Sequence, residues 1–520
     1  MLRHAAISRT IALCLALIAS LVASSAVART LRNTFGDRYG AAPGAQAAPI
    51  TRPHNVAAVG EWLRHWNQIA VDTSGLDHTP VATGETRVFG EQLGPGRSSR
   101  AMAIVHIAVF EAVNALAGQP YRSYVNLRAQ RLDRRASAQA AIAQAAHDTL
   151  VTLYPSQAPR LDAQLAEDLT ILPLSAERDA GLALGARAAA AIDALRANDG
   201  TTPGEARMGI DYLPGEQPGA WRQDPVSRIP LALGMRWGSV QPFVIESAAA
   251  YRVPPPPALT SAEYAAAYDE VQRLGGDGIV TPTEHTAEQT AIGIYWAYDG
   301  TPSLCAPPRL YNQLARTIAE RRRLAPLELA RLLALVNVAM ADAAIASWES
   351  KYYYAFWRPI TGIREADAGA GPSGLGDDNP ATAGDPGFTP LGAPASNLTG
   401  PNFTPPFPAY PSGHAAFGGA LFETLRRFFG TDAIAFTFVS DEFNGVTVGN
   451  DGVQRTLAPR SFSSLSQAEE ENGQSRIYLG IHWSFDKTAG IAQGRAVARD
   501  VTDHLYASQR RPNANSGVRP

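Results

Sequence analysis

Three short stretches concentrate the side chains able to do chemistry. In KYYYAFWRP, residues 351–359, Lys351 and Arg358 stand seven residues apart. Seven residues is two helical turns, so both cations lie near one helix face. Pro359 disfavours helical geometry at Arg358, so the helix should close there with the two cations projecting from its end. In PSGH, residues 411–414, Ser412 supplies a hydroxyl and Gly413 lets a ligand approach the backbone. His414 exchanges a proton near neutral pH. In SRIYLGIHWSFD, residues 475–486, Arg476 and His482 are six apart and would face different sides of one continuous helix. Gly480 offers a break that lets them converge. Asp486, four residues after His482, can hydrogen-bond the second imidazole nitrogen and fix its tautomer.

Each stretch alone has a plainer explanation. Lys351 and Arg358 would be snorkelling cations on a solvated face. Ser412 would be an ordinary N-cap. His482 and Asp486 would be a surface pair. Taken together, they supply three cations, a hydroxyl, a glycine backbone and two histidines. That set suits a compact tetrahedral oxyanion. Arginine forks bind its oxygens and Lys351 adds a point charge. The start of the helix after Ser412 adds free N–H groups and a positive dipole end. One histidine can approach the central atom while the other handles protons.

The elements that must position these residues are helices. Ala-rich, helix-periodic runs cover 55–71, 99–116, 136–154 and 176–198. A second set covers 261–274, 283–298, 310–322, 326–354, 412–429, 463–479 and 484–506. Alternating strand patterns are nearly absent, so the expectation is an all-α protein of two packed helical bundles, with the oxyanion pocket in the C-terminal one. The Pro- and Gly-rich stretch 200–257 is a crossover loop. A loop as long as 366–411 is usually functional or disordered, and its run through Pro405-Pro406-Phe407-Pro408 into the PSGH motif favours function. The expected division is 1–28 leader, 29–258 N-terminal bundle with crossover, 259–508 C-terminal bundle and 509–520 disordered tail.

The leader follows from Arg3 and Arg9, the apolar run 11–23 and the small-residue site Ala26-Val27-Ala28. It is read as a secretory signal cleaved after Ala28, which sends the protein to the periplasm or outside the cell. No later stretch is expected to be long and apolar enough to span a bilayer. Cys14 leaves with the leader, so Cys305 stands alone and no internal disulfide forms. A net charge of −3 with mixed signs gives no case for nucleic acid or an anionic membrane surface. Apolar helix faces in the N-terminal half could serve a homo-oligomer contact as readily as an internal one.

The succession K-x6-R-P, P-S-G-H, S-R-x5-H resembles the signature shared by vanadium-dependent haloperoxidases and type 2 phosphatidic acid phosphatases. Flanking segments (WAYDG at 296–300, PPRLYNQ at 307–313, EFNG at 442–445) resemble the chloroperoxidase-type members of the first family over roughly 260–490. The resemblance implies vanadate as cofactor, with phosphate fitting the same pocket. It implies that Lys351, Arg358, Ser412, Gly413 and Arg476 bind the equatorial oxygens. His482 would be the axial vanadium ligand, or the phosphoryl-accepting nucleophile of a phosphatase, and His414 the acid–base group. Lys351 would also polarise bound peroxide. Asp299 would pair with Arg476, and Trp348, Pro405, Pro406 and Phe407 would border a halide site. Phe407 stands where algal bromoperoxidases carry a second histidine. The implied partners are hydrogen peroxide, halide and small organic substrates. An exported acid phosphatase on the same scaffold is the alternative. The other histidines, His106 in an apolar helix among them, are expected to be satisfied structural residues.

Overall fold

The computed structural model describes residues 30–42, 51–127, 135–202 and 204–509. The expected leader at 1–28 and residues 510–520 of the tail lie outside the described residues. Fourteen α-helices make up most of what is described. They are α1 (Leu31–Phe35), α2 (Val59–Asp77), α3 (Gly94–Leu116), α4 (Ala138–Leu153), α5 (Ala158–Thr170), α6 (Ala176–Arg196), α7 (Ala262–Leu274) and α8 (Ala287–Tyr295). They continue with α9 (Pro307–Arg321), α10 (Pro326–Tyr354), α11 (Pro359–Arg364), α12 (Gly413–Phe429), α13 (Leu465–Tyr478) and α14 (Ser484–His504). Strands of two or three residues form three antiparallel pairs: β1 (Gly40–Ala41) with β4 (Leu398–Thr399), β2 (Ala206–Arg207) with β3 (Leu231–Ala232), and β5 (Phe436–Phe438) with β6 (Arg460–Phe462). The fold is all-α, as the periodicity indicates.

Helix α10 is the central element. Pro326 opens it at a position where a missing N–H costs nothing. Its Ala- and Leu-rich body packs on α3 to one side and on α12 and α14 to the other. The core that results runs from Trp62 through Phe110, Leu335 and Phe417 to Val501. Both sets of helices therefore close on one shared core.

Two helices correct the expectation about apolar length. α3 and α10 are each long and apolar enough to cross a membrane by length and composition, but 94 % of each apolar window is buried inside the fold. A helix enclosed on all sides by other helices needs no polar face, so its composition matches that of a span. Helix α5 and the short α1 and α11 are additions to the expected set.

The two long loops are ordered supports. In the crossover, the main-chain N–H groups of Phe243, Val244 and Ile245 converge on the buried carboxylate of Asp342 in α10, at 2.7–3.0 Å. The Leu233 carbonyl accepts from Trp348 Nε1 and the Tyr352 hydroxyl. The 366–411 loop brings β4 against β1 and delivers the carbonyls of Phe407, Pro408, Ala409 and Pro411 to the site.

Candidate active site

The three stretches meet. Helix α10 carries Lys351 in its last turn. Its end comes at Tyr354, where Ala355 takes a left-handed conformation, φ 45°, and bonds back to the Lys351 carbonyl. Arg358 therefore does not end α10 but precedes α11, in extended conformation before the first-position Pro359. Helix α13 ends at Tyr478 and α14 starts at Ser484, which leaves His482 in the connector. Gly480 makes that turn with φ 70°, and a Cβ there would overlap the Gly275 carbonyl oxygen. Only glycine fits the break. Ser412 caps α12, its hydroxyl accepting from the Ala415 N–H at 3.4 Å. Gly413 and His414 occupy the first turn, where N–H groups lack intrahelical partners.

Hydrogen bonds fix the protonation of both histidines. Arg358 donates through Nη1 to His482 Nε2 at 2.9 Å, and through Nε to the Phe407 carbonyl at 2.9 Å. A guanidinium is only a donor, so His482 Nε2 is the acceptor and its proton sits on Nδ1. Nδ1 donates to Asp486 Oδ2 at 2.7 Å, and the Trp483 N–H donates to the same oxygen at 3.0 Å. His414 Nε2 donates to the Ala297 carbonyl at 2.5 Å, which leaves Nδ1 as the acceptor. The His414 carbonyl in turn accepts from the Tyr311 hydroxyl and from Asn472 Nδ2, both at 3.0 Å. Arg476 donates through Nη2 to both oxygens of Asp299, at 2.8 and 2.9 Å. Lys351 Nζ donates to the carbonyls of Pro408 and Ala409, each at 2.9 Å, and of Pro411.

All these side chains are buried; His414, the most open of the cationic and imidazole groups, is 5 % exposed. Burial pushes Lys351 well below the usual ammonium value, with Arg358 adding to the effect. It pushes Arg358 down to about 9, with Arg476 contributing. His414 falls well below its ordinary value through burial and then Arg476; His482 does so through burial and then Arg358. On the acidic side, burial raises Asp299 against the pull of Arg476 and raises Asp486 to about 7. The site is a buried excess of positive charge. Arg476 Nε and Nη1 are enclosed with no acceptor.

Those features fit vanadate or phosphate. A buried donor without an acceptor is costly, and an oxyanion supplies acceptors and the opposite charge together. At Gly413 a Cβ would come within 3.2–3.3 Å of the Trp348 ring, so the absent side chain keeps the helix start open. The single lone pair at His482 Nε2 is taken by Arg358 Nη1, so it reaches a central atom only when that hydrogen bond gives way. Among the described residues no three His, Cys, Asp or Glu side chains gather as they would around a metal cation. The donor set is built for an anion.

A cavity of about 50 Å³ meets this cup at Asp299, Gly413, His414, Arg476 and His482. The four residues expected at a halide site, Trp348, Pro405, Pro406 and Phe407, all line it. The Trp348 and Phe407 rings lie 4.9 Å apart. Lys351 Nζ is 5.2 Å and the Arg358 guanidinium carbon 5.0 Å from the Phe407 ring centre. Lys351, Arg358 and Ser412 are not part of the cavity lining; they sit behind it.

Sequence reasoning missed several parts. Asn472 lies four residues before Arg476 on α13, a one-turn spacing that marks a shared face. Tyr311 lies in the PPRLYNQ segment that carries the resemblance. Thr34, Phe35, Leu93 and Leu231, from the N-terminal half, complete the wall, and no motif announces them. Outside the site, His106 is the satisfied core residue expected, donating from Nδ1 to the Met102 carbonyl at 2.7 Å and accepting from Asn67 at 2.8 Å. His65 pairs with Asp168, 103 residues away, beyond any local spacing rule.

Comparison with known proteins agrees with this geometry. The family model of the VCPO second helical-bundle domain matches residues 331–510. The vanadium chloroperoxidase of Curvularia inaequalis is 31 % identical over 533 residues, covering 86 % of this chain and 82 % of that protein. The likeness thus extends well outside 260–490. A bacterial vanadium-dependent iodoperoxidase superposes with a TM-score of 0.67 at 23 % identity, over 90 % of this chain and all of that one. A bacterial vanadium-dependent chloroperoxidase in its apo form gives 0.58 at 17 % identity, over 80 % of this chain and 96 % of that one. With the three motifs gathered around one buried cationic cup and a relative this similar along most of its length, the chain belongs to the vanadium-dependent haloperoxidase family.

Proposed function

We propose that this protein is an exported haloperoxidase that holds vanadate and oxidises halide with hydrogen peroxide to hypohalous acid. One observation carries the reading: the fixed His482 tautomer, held by Arg358 and Asp486, lines one cavity with Arg476, whose Nε and Nη1 have no acceptor. Bound vanadate supplies a Lewis-acid centre that activates peroxide without a change in the metal's oxidation state.

The chain's own residues do the rest. His482 would present its Nε2 lone pair to the central atom once Arg358 Nη1 turned from it to an oxyanion oxygen. Arg476, Arg358, Ser412 and the N–H groups at Gly413 hold the oxygens and offset charge as it develops. Lys351, locked on three carbonyls, contributes its field from behind. His414 is neutral because burial and Arg476 disfavour its charge, so Nδ1 can take a proton from incoming peroxide and return it to the departing oxygen. Trp348 and Phe407 exclude water from the place where halide approaches, and Phe407 supports chloroperoxidase-type chemistry. Phosphate, with the same shape and charge, competes for the cup. Export rests on the charged start, apolar run and small-residue site of the leader.

The test is reconstitution. Vanadate and peroxide added to the vanadate-free protein should produce bromide oxidation. Brisk hydrolysis of p-nitrophenyl phosphate with no halide oxidation after reconstitution would replace this reading by the phosphatase one.

A further inference from the structure

We infer that Thr34 selects the halide: its hydroxyl donates to the anion that enters the cavity beside the oxyanion cup and favours chloride over iodide. The inference rests on the haloperoxidase reading and adds a specificity-determining residue to it.

Thr34 lines the same cavity as Asp299, His414, Arg476 and His482, though it comes from the opposite end of the chain. The other side chains that line the cavity are apolar, and the one N–H among them, on Trp348, is committed to the Leu233 carbonyl at 3.0 Å. A threonine inside a helix can turn its hydroxyl back on a carbonyl of the preceding turn. Thr73 does so on Ile69 and Thr424 on Ala420, each at 2.7 Å. At Thr34 the Thr30 carbonyl takes the main-chain N–H instead, at 3.1 Å, and among the described residues none hydrogen-bonds the Thr34 hydroxyl. The residue is 6 % exposed, so a donor stands unmatched at a buried cavity wall. A donor so placed gains from an acceptor.

The hydroxyl is also held in position. The Thr30 side chain caps α1 on the Asn33 N–H, and Gly36 closes the helix at φ 89°. Phe35 and Tyr39 then pack edge-on against Phe403, with ring centres at 5.8 and 6.2 Å. β1 pairs with β4 in the register Gly40 with Thr399, which ties the segment to the 366–411 loop.

The preference follows from ion size. Halide reaches the cavity as an anion and sheds its water, at a large cost unless other donors replace that water. A smaller anion brings the same charge closer to a donor, so chloride loses most on entry and gains most from a hydroxyl. Iodide loses and gains least. A cavity of about 50 Å³ holds about three or four waters, since one water needs roughly 10–15 Å³. Few waters can accompany the ion there, and the Thr34 hydroxyl stands in for one of them.

The test compares Thr34→Val and Thr34→Ser with the wild type, all loaded with vanadate. Valine keeps the shape and removes the donor, whereas serine keeps the donor. In Thr34→Val the KM for chloride should rise about 10–100-fold, the worth of a hydrogen bond to a charged group, and that for iodide about threefold or less. Thr34→Ser should raise the chloride value about threefold or less. Broadening of the chloride magnetic-resonance line by the protein, measured without peroxide, should fall in Thr34→Val and persist in Thr34→Ser. Vanadate affinity should be the same in all three. Equal changes for chloride and iodide in Thr34→Val, or none, would overturn the inference and leave the haloperoxidase reading standing. So would a loss as large in Thr34→Ser, a rise in the peroxide KM with the halide values unmoved, or loss of vanadate in Thr34→Val. A wild type that holds vanadate yet neither binds nor oxidises any halide would remove both.

Discussion

His482 donates from Nδ1 to Asp486 Oδ2 at 2.7 Å across one turn of chain, and Asp486 takes the Trp483 N–H on the same oxygen. The carboxylate thus both starts α14 and orients the imidazole. Asp486→Ala should weaken vanadate binding by about 10–100-fold, the usual effect of losing a partner behind a ligating histidine. Asp486→Asn keeps an acceptor and should lose less. Dissociation constants for vanadate decide it, and equal losses in the two variants would count against the orienting role.

His414 is assigned proton transfer, not anion holding. His414→Ala should therefore keep vanadate while halide oxidation falls by about 10²–10⁴-fold, the range of general acid–base catalysis. Loss of vanadate together with turnover would remove that division of labour.

The turn before His482 depends on Gly480, which has both a left-handed backbone and a Gly275 carbonyl in the place of a Cβ. Gly452 has a similar φ of 78° with nothing within 4 Å. Gly452→Ala should cost about 1–2 kcal/mol, the conformational part alone. Gly480→Ala should cost clearly more and also weaken phosphate binding, because His482 moves with the turn. Urea unfolding of both variants makes the comparison, and equal costs would show that the close approach is relieved by relaxation.

His106 sets a pH dependence. Burial pushes its imidazole down to about 4. The unfolded chain takes that proton near pH 6.5 and the folded chain only near 4, so the unfolded state binds more protons across this window. The contribution, about 3 kcal/mol, is present above pH 6.5 and lost as pH falls through 4. His106→Gln, whose carbonyl can still accept from Asn67, should lose less stability on acidification than the wild type. Unfolding free energies measured across the window should show the difference; parallel curves would contradict it.

Local relationships are legible in the sequence and distant ones are not. The start of α10 follows from Pro326 and the Ala- and Leu-rich run after it, whereas the left-handed Ala355 that closes it ahead of Arg358 does not. The Gly480 break and the pairing of His482 with Asp486 follow from spacing. The salt bridge of Asp299 to Arg476 spans 177 residues and entered through family resemblance alone. Helix α5 escaped because it follows Pro155 closely, carries Pro159 in its first turn and buries only Leu161 and Leu165 as apolar anchors. The apolar length of α3 and α10 is a consequence of enclosure, which a sequence read one segment at a time does not display. The Phe35 wall is a packing relation between the two ends of the chain, with no periodicity to announce it.

The central claim is that one buried cup, made by three distant stretches, holds a single oxyanion against His482. Equilibrium dialysis of vanadate against the purified protein tests it directly. The account predicts one vanadate per chain, displaced by phosphate and lost in His482→Ala. A wild type that retains none, or a His482→Ala variant that retains as much as the wild type, would contradict it.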